Sequence, residues 1–147
     1  MRAVGGEALV IGERLFRAIE AGDLAAVRGL YSPHVRVWHN DDGKEQGLEE
    51  NLSVLAWVVR HVRDLRYTEE RRQRCEQGFV QQHVLRGRTL SGEDLAIPSC
   101  LVVRIEQGRI VRIDEYLDPA SLEPLRRALT REGRSARDSS ADGAAEA

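Results

Sequence analysis

Long apolar runs and cysteine are scarce in this chain. No run approaches the roughly 20 consecutive apolar residues that a membrane-spanning helix needs. In the N-terminal segment "MRAVGGEALVIGERLF", Glu7 and Glu13 break up what would be the apolar core of a secretion signal. The expectation is a cytoplasmic protein with no membrane partner. Cys75 and Cys100 are the only cysteines. Without CxxC spacing they make no disulfide framework and read as reduced core thiols. An excess of one charge is also lacking: 22 basic residues against 24 acidic ones leave a formal net charge of −2. Nucleic acid is therefore not expected as a partner. The basic run "RRQR" (71–74) lies among Glu69, Glu70 and Glu76 and reads as a solvated strand face. HExxH, GxSxG and glycine-rich phosphate loops are missing, and four histidines are scattered without ligand spacing. No metal and no cofactor are expected, and His34 and His61 read as surface residues.

What is present suffices for one domain. A chain of 147 residues buries roughly 68–70% of its unfolded surface and needs no metal or disulfide to hold it. Leu9, Leu15, Phe16 and Ile19 recur at helical spacing over 6–21, ended by Gly22. Asp23 is placed to cap a second short helix, "DLAAVRGLY", with Tyr31 inward and Pro33 as its stop. A strand "VRVWHN" follows, then the turn-rich "DDGKEQG", then a strong helix over 48–62. From Asp64 the period changes to two. "LRYTEERRQRCEQ", "GFVQQHVLRGRTL", "LAIPSCLVVRIE" and "RIVRIDEYLD" are separated by short glycine-bearing links, which are hairpin signals. Pro98 predicts a bulge or an edge position. A short helix over 121–131 closes the domain, taken as 1–131. The remaining 132–147 carry almost no large apolar group and read as a disordered tail. Helices first and strands after indicate an α+β fold, with a strongly curved antiparallel sheet wrapped as a cone around the N-terminal helices.

Strand alternation sorts the polar residues. In the last strand Val111, Ile113, Glu115 and Leu117 share the apolar face, while Arg112, Asp114 and Tyr116 look outward. In the strand before it, Leu95, Ile97, Ser99, Leu101, Val103 and Ile105 face in. Phe79, Gln81, His83 and Leu85 form a third inward set, and Val35, Val37 and His39 a fourth, opposite Trp38 and Asn40. The inward polar set is His39, Gln81, His83, Ser99 and Glu115, set in an apolar lining as in small-molecule sites. A carboxylate and an imidazole in such a pocket suit general acid–base work. His83 and Glu115 are the catalytic candidates, and His39, Gln81 and Ser99 the binding candidates. Asp41 and Asp42 belong to the rim.

The order of elements and the strings "LYSPHVRVWHN" and "VVRIEQGRIVRIDEYLD" resemble the nuclear transport factor 2-like superfamily, in its SnoaL-like and ketosteroid isomerase-like branch, over about residues 6–125. The resemblance implies a cone-shaped α+β fold, a dimer through the outer sheet face and cofactor-free chemistry on small molecules. Its members include isomerases, dehydratases, polyketide cyclases and epoxide hydrolases, along with proteins that only bind or scaffold. Against the limonene epoxide hydrolase-like pattern, Glu115 resembles the base position, His83 the second acid, Gln81 the arginine, Val37 the tyrosine and His39 the asparagine. Against the steroid isomerase-like pattern, His39 or Asn40 resembles the base position, and Cys100 lies near the oxyanion position. Val37 and Asn40 thereby join the substrate-binding candidates.

Three functions follow. The first is a cofactor-independent isomerase, dehydratase or cyclase acting on an apolar oxygenated compound of polyketide, terpenoid or steroid-like type. The second is a non-catalytic binding or assembly module of the same fold, and the third is epoxide hydrolysis. A homodimer through the face of Arg112, Asp114 and Tyr116 is expected with any of them.

Overall fold

A computed structural model describes residues 4–144. Helix α1 (Val4–Ala21) ends at Gly22, whose φ of +70° suits glycine. Asp23 then caps α2 (Leu24–Leu30), its carboxylate accepting from the Ala26 amide at 3.0 Å. Tyr31 does not extend α2. It opens strand β1 (Tyr31–His39), which carries Pro33 within a stretch of shifted register. Strand β2 (Glu45–Gln46) is a two-residue addition that periodicity does not announce, and α3 covers Leu48–His61. The meander is β3 (Val62–Cys75), β4 (Gly78–Thr89), β5 (Asp94–Glu106) and β6 (Arg109–Leu117). The β5–β6 link is Gln107-Gly108, both with positive φ, as a tight two-residue hairpin requires.

The sheet is curved and unclosed, with strand order β2-β1-β6-β5-β4-β3. The meander is antiparallel throughout, but β1 joins β6 in parallel. That single pairing brings the first strand beside the last. Phe16, Leu15 and Ile19 of α1 pack with Val35, Val37, Phe79, Leu101, Ile110 and Ile113 on the concave face.

The inward sets on β4 and β5 are as alternation predicts: Phe79, Gln81, His83, Leu95, Ile97, Ser99, Leu101 and Val103 are all buried. Three local expectations are corrected. A bulge between Arg104/Arg112 and Ile105/Ile110 makes Ile110 a core residue in place of Val111. A second bulge, between Thr68 and Arg71 with Glu69 at φ +54°, turns Arg72 inward while Arg71 and Arg74 stay exposed. The run 71–74 is therefore not a uniformly solvated face. Cys75 is exposed and Cys100 half-buried, so neither is a core thiol. Pro98 makes no bulge against β4. It sits where pairing with β6 has not yet begun, a local edge that tolerates its missing N–H.

After a single 3-10 turn at Pro119–Leu122, α4 runs from Glu123 to Ala144. Helix thus continues through most of the segment read as a tail. Alanine, arginine and glutamate are good helix formers, and no proline follows Pro124. Glu132 anchors this helix to α3, accepting from Trp57 Nε1 at 2.6 Å and lying 3.6 Å from His61 Nε2. His61 is half-buried and stacked on Trp57 at 4.4 Å, so it is not a free surface residue. Residues 145–147 of the segment lie outside the described residues. Among the described residues no helix is long and apolar enough to cross a membrane.

Candidate active site

Between α1, α3 and the concave face of the sheet lies a cavity of about 240 Å³. Leu15, Phe16, Val58, Leu85, Leu101 and Ile113 give it apolar walls, and Asp41, Asp42, Leu122 and Leu125 are also part of its lining. The apolar stripe of α3 is only partly covered by protein because Val54, Leu55 and Val58 face this space.

Four of the residues singled out by alternation and resemblance line the cavity: Val37, His39, His83 and Glu115. His39 and Glu115 are register partners across the parallel β1–β6 pair. Their side chains approach to 3.5 Å, Nε2 to Oε2, each about 20% exposed. Burial alone would depress the His39 pKa. The hydrogen bond and charge of Glu115, with Asp41 and Asp42 nearby, outweigh that and raise it. The carboxylate's imidazole partner is thus His39 rather than His83. The reason is strand order: β4 is separated from β6 by β5, and two strand spacings amount to roughly 10 Å.

His83 is 5% exposed and set edge-on to Phe16 and Tyr67, with ring centroids at 5.5 and 4.7 Å. Its Nδ1 lies 3.0 Å from Gln81 Nε2. Burial pushes its pKa down to about 4, with Glu115 acting upward and Arg72 downward. At neutral pH His83 is an uncharged ring.

Besides Gln46 and the two aspartates, three further polar side chains reach the cavity: Tyr31, Tyr67 and Asn51. The Tyr31 hydroxyl donates to Asn51 Oδ1 at 2.9 Å, and Asn51 Nδ2 donates to Gln46 Oε1 at 2.9 Å. Among the described residues the Tyr67 hydroxyl has no hydrogen-bond partner, which leaves it available to a ligand. Burial, then the charge of Glu115, raises the pKa of both tyrosines, so both remain protonated donors. The sequence carries a usable signal for two of the three. Asn51 interrupts the apolar stripe of α3 between Leu48 and Leu55, and Tyr67 shares a face with Leu65. Tyr31 gives none, since its helical spacing points to α2.

A profile of the SnoaL-like domain matches residues 13–113. The chain belongs to the SnoaL-like family. Its fold is shared with solved structures of low sequence identity. PrhC from Penicillium brasilianum NBRC 6234 superposes with a TM-score of 0.75 at 10% identity, covering 89% of this chain and 93% of that one. A nuclear transport factor 2-like protein of unknown function from Burkholderia pseudomallei K96243 gives 0.70 at 21%, covering 80% and 96%. A protein assigned as a SnoaL-like polyketide cyclase, from Shewanella denitrificans OS-217, gives 0.68 at 14%, covering 81% and 96%. At these identities the likeness is one of fold. No curated protein matches the chain significantly in sequence.

Within this SnoaL-like cone, Gln81, Ser99 and Asn40 do not line the cavity. Gln81 is fully buried behind it, between Arg72 and His83. Ser99 is buried on the expected face, and its Oγ has no hydrogen-bond partner among the described residues. Asn40 is exposed and ties β1 to β6. Its amide nitrogen donates to the Leu117 carbonyl at 3.0 Å, its oxygen accepts from the Leu117 N–H at 2.9 Å, and its own N–H donates to the Glu115 carbonyl at 3.1 Å. The side chain extends the ladder one step beyond the strand. Asn40→Ala removes two hydrogen bonds of about 0.5–1.5 kcal/mol each, and urea unfolding should show a loss of about 1–2 kcal/mol. Among the described residues no group of three or more His, Cys, Asp or Glu side chains is placed to hold a metal ion.

Proposed function

We propose that this chain is a small-molecule isomerase, dehydratase or cyclase that works by proton transfer without a cofactor, on an apolar oxygenated compound of polyketide, terpenoid or steroid-like type. The observation that carries the proposal is the His39–Glu115 pair, 3.5 Å apart in the wall of an otherwise apolar cavity. A carboxylate and a partly shielded imidazole that share one proton can take a proton from an acidic C–H and return one to oxygen or to a second carbon. Glu115 acts as base in this reading and His39 as acid. Neutral His83 and the Tyr67 hydroxyl hydrogen-bond the substrate oxygen as negative charge develops on it. Membership of the SnoaL-like family supports this class of chemistry. Epoxide hydrolysis on the limonene-type pattern is disfavoured, because it calls for an arginine in the cavity and among the described residues the lining holds none.

Incubation of a panel of cyclic enones, β-hydroxy ketones and polyketide mimics in D2O tests the reading. At least one compound that binds should exchange deuterium for carbon-bound hydrogen or rearrange. Binding without exchange across the panel would leave the non-catalytic binding module as the better account.

The lining also bears on substrate charge. Among the described residues it contains Asp41, Asp42 and Glu115 and no lysine or arginine, so an anionic ligand meets repulsion in a low-dielectric space. A carboxylate analogue should bind at least about tenfold more weakly than the isosteric alcohol or ketone, as calorimetry would show; equal affinities would contradict it. We further propose a homodimer through the outer sheet face, where Val102 and Tyr116 are exposed and Trp38 packs on Tyr116 at 5.3 Å. Sedimentation at micromolar concentration should give twice the chain mass.

A further inference from the structure

The buried amide behind His83 decides which nitrogen of that ring carries the proton. Arg72 and Gln81 are cross-strand partners on the inner face of β3 and β4. Arg72 Nε donates to Gln81 Oε1 at 2.6 Å. An arginine nitrogen can only donate, so the oxygen end of the amide faces Arg72 and the NH2 end faces His83. That NH2 is also only a donor, and it lies 3.0 Å from His83 Nδ1. Nδ1 must therefore present a lone pair, which leaves the ring proton on Nε2. Among the described residues Nε2 has no hydrogen-bond partner.

Arg72 is itself held from several sides. Its terminal nitrogens donate to Glu13 Oε2 at 3.1 Å and to Glu70 Oε2 at 3.0 Å, and its guanidinium lies 5.4 Å from the Phe16 ring centroid and 5.8 Å from that of Phe79. Helix α1 makes room for it at Gly12. A Cβ at that position would stand 2.8 Å from Arg72 Nε and 2.9 Å from its Cδ. Glycine inside a helix is disfavoured by about 1 kcal/mol relative to alanine, and the passage of Arg72 accounts for its presence here. The charged groups acting on His83 are Glu115, across the cavity face, and Arg72; they oppose each other, and burial adds to the effect of Arg72.

We propose that Arg72 and Gln81 are positioning residues that hold His83 as its neutral Nε2–H tautomer, and that Gly12 is the opening in α1 through which Arg72 reaches them. His83 then offers the cavity a hydrogen-bond donor and is removed from service as a base. The catalytic consequence rests on the acid–base function proposed above, whereas the tautomer is a property of the protein without substrate.

Long-range 1H–15N correlation spectra of the imidazoles in the full, 15N-labelled chain test this directly. At pH 7 His83 should show one neutral form with its proton on Nε2, unchanged down to about pH 5. Arg72→Met frees the amide to rotate, so the two neutral tautomers should become mixed. Gln81→Glu offers only acceptors to Nδ1, so the His83 proton should move from Nε2 to Nδ1. Gly12→Ala should shift the population in the same sense as Arg72→Met, although it lies on α1 and improves helix propensity. A wild-type ring protonated on Nδ1, or a mixture, overturns the proposal without any variant being needed. A folded Arg72→Met or Gly12→Ala protein with wild-type His83 shifts removes the role of that residue. Because these measurements need no turnover, they can fail while acid–base catalysis stands, and the reverse also holds.

Discussion

Glu115→Gln should lower kcat by about 10²- to 10⁴-fold on any compound that exchanges or rearranges in the cavity, the range typical of losing a general acid or base. The substitution keeps the shape of the side chain and removes its ability to accept a proton. It also strips His39 of its anionic neighbour. Burial by itself depresses the His39 pKa, and Glu115 supplies the hydrogen bond and the strongest of the nearby charges that reverse the shift. In the variant the His39 pKa should therefore fall, and the pH range over which His39 can act as an acid should move down with it. Product formation against pH and an NMR titration of His39 check the two halves separately. Unchanged turnover would remove Glu115 as the base. An unchanged His39 titration would show that the pair is not coupled.

Acidification should cost the fold about 3 kcal/mol through His83 alone. The folded pKa is about 4, against roughly 6.5 in the unfolded chain. Above about pH 6.5 the ring is neutral in both states and contributes no difference. Between those two values the unfolded state takes up a proton that the folded state refuses, so stability falls across that window and levels off below it. His39 acts in the opposite sense. Its folded pKa is raised, so its contribution is fully present below the unfolded value and lost as pH rises through the folded one. The acid loss from the two histidines together is accordingly smaller than that from His83 alone. Urea unfolding of wild type and His83→Gln at pH 7, 5.5 and 4.5 isolates the His83 contribution, because the other titrating groups are common to both. The variant should lose less stability on acidification. Parallel curves would mean that His83 titrates normally in the fold.

Much of this site is written in period-two alternation. Placing Gln81 and His83 with Phe79, and Ser99 with Ile97 and Leu101, needs only the direction in which neighbouring side chains leave a strand. The same local logic puts His39 on one face of β1 and Trp38 on the other. It fails wherever one residue is added to a strand. The bulge at Glu69 exchanges Arg71 for Arg72 as the inward arginine, and the bulge near Ile110 displaces Val111 from the core. Asn40 misleads for a related reason. A polar residue at a strand end near a cavity resembles a ligand group until its hydrogen bonds to Leu117 are seen.

The amino-acid sequence by itself determined the family, the α+β order and the face on which most of the polar residues lie. These depend on contacts between residues close along the chain, where turn chemistry and strand pleat act directly. Only the tertiary structure decided that Glu115 meets His39, that Gln81 stands between Arg72 and His83, and that Tyr31, Gln46, Asn51 and Tyr67 join the polar set. Those partners are brought together by the parallel β1–β6 pairing, by strand bulges and by the packing of α1 on the sheet. Each of these is a choice of register between distant segments, set by which arrangement satisfies the backbone hydrogen bonds and buries the apolar faces of the whole chain.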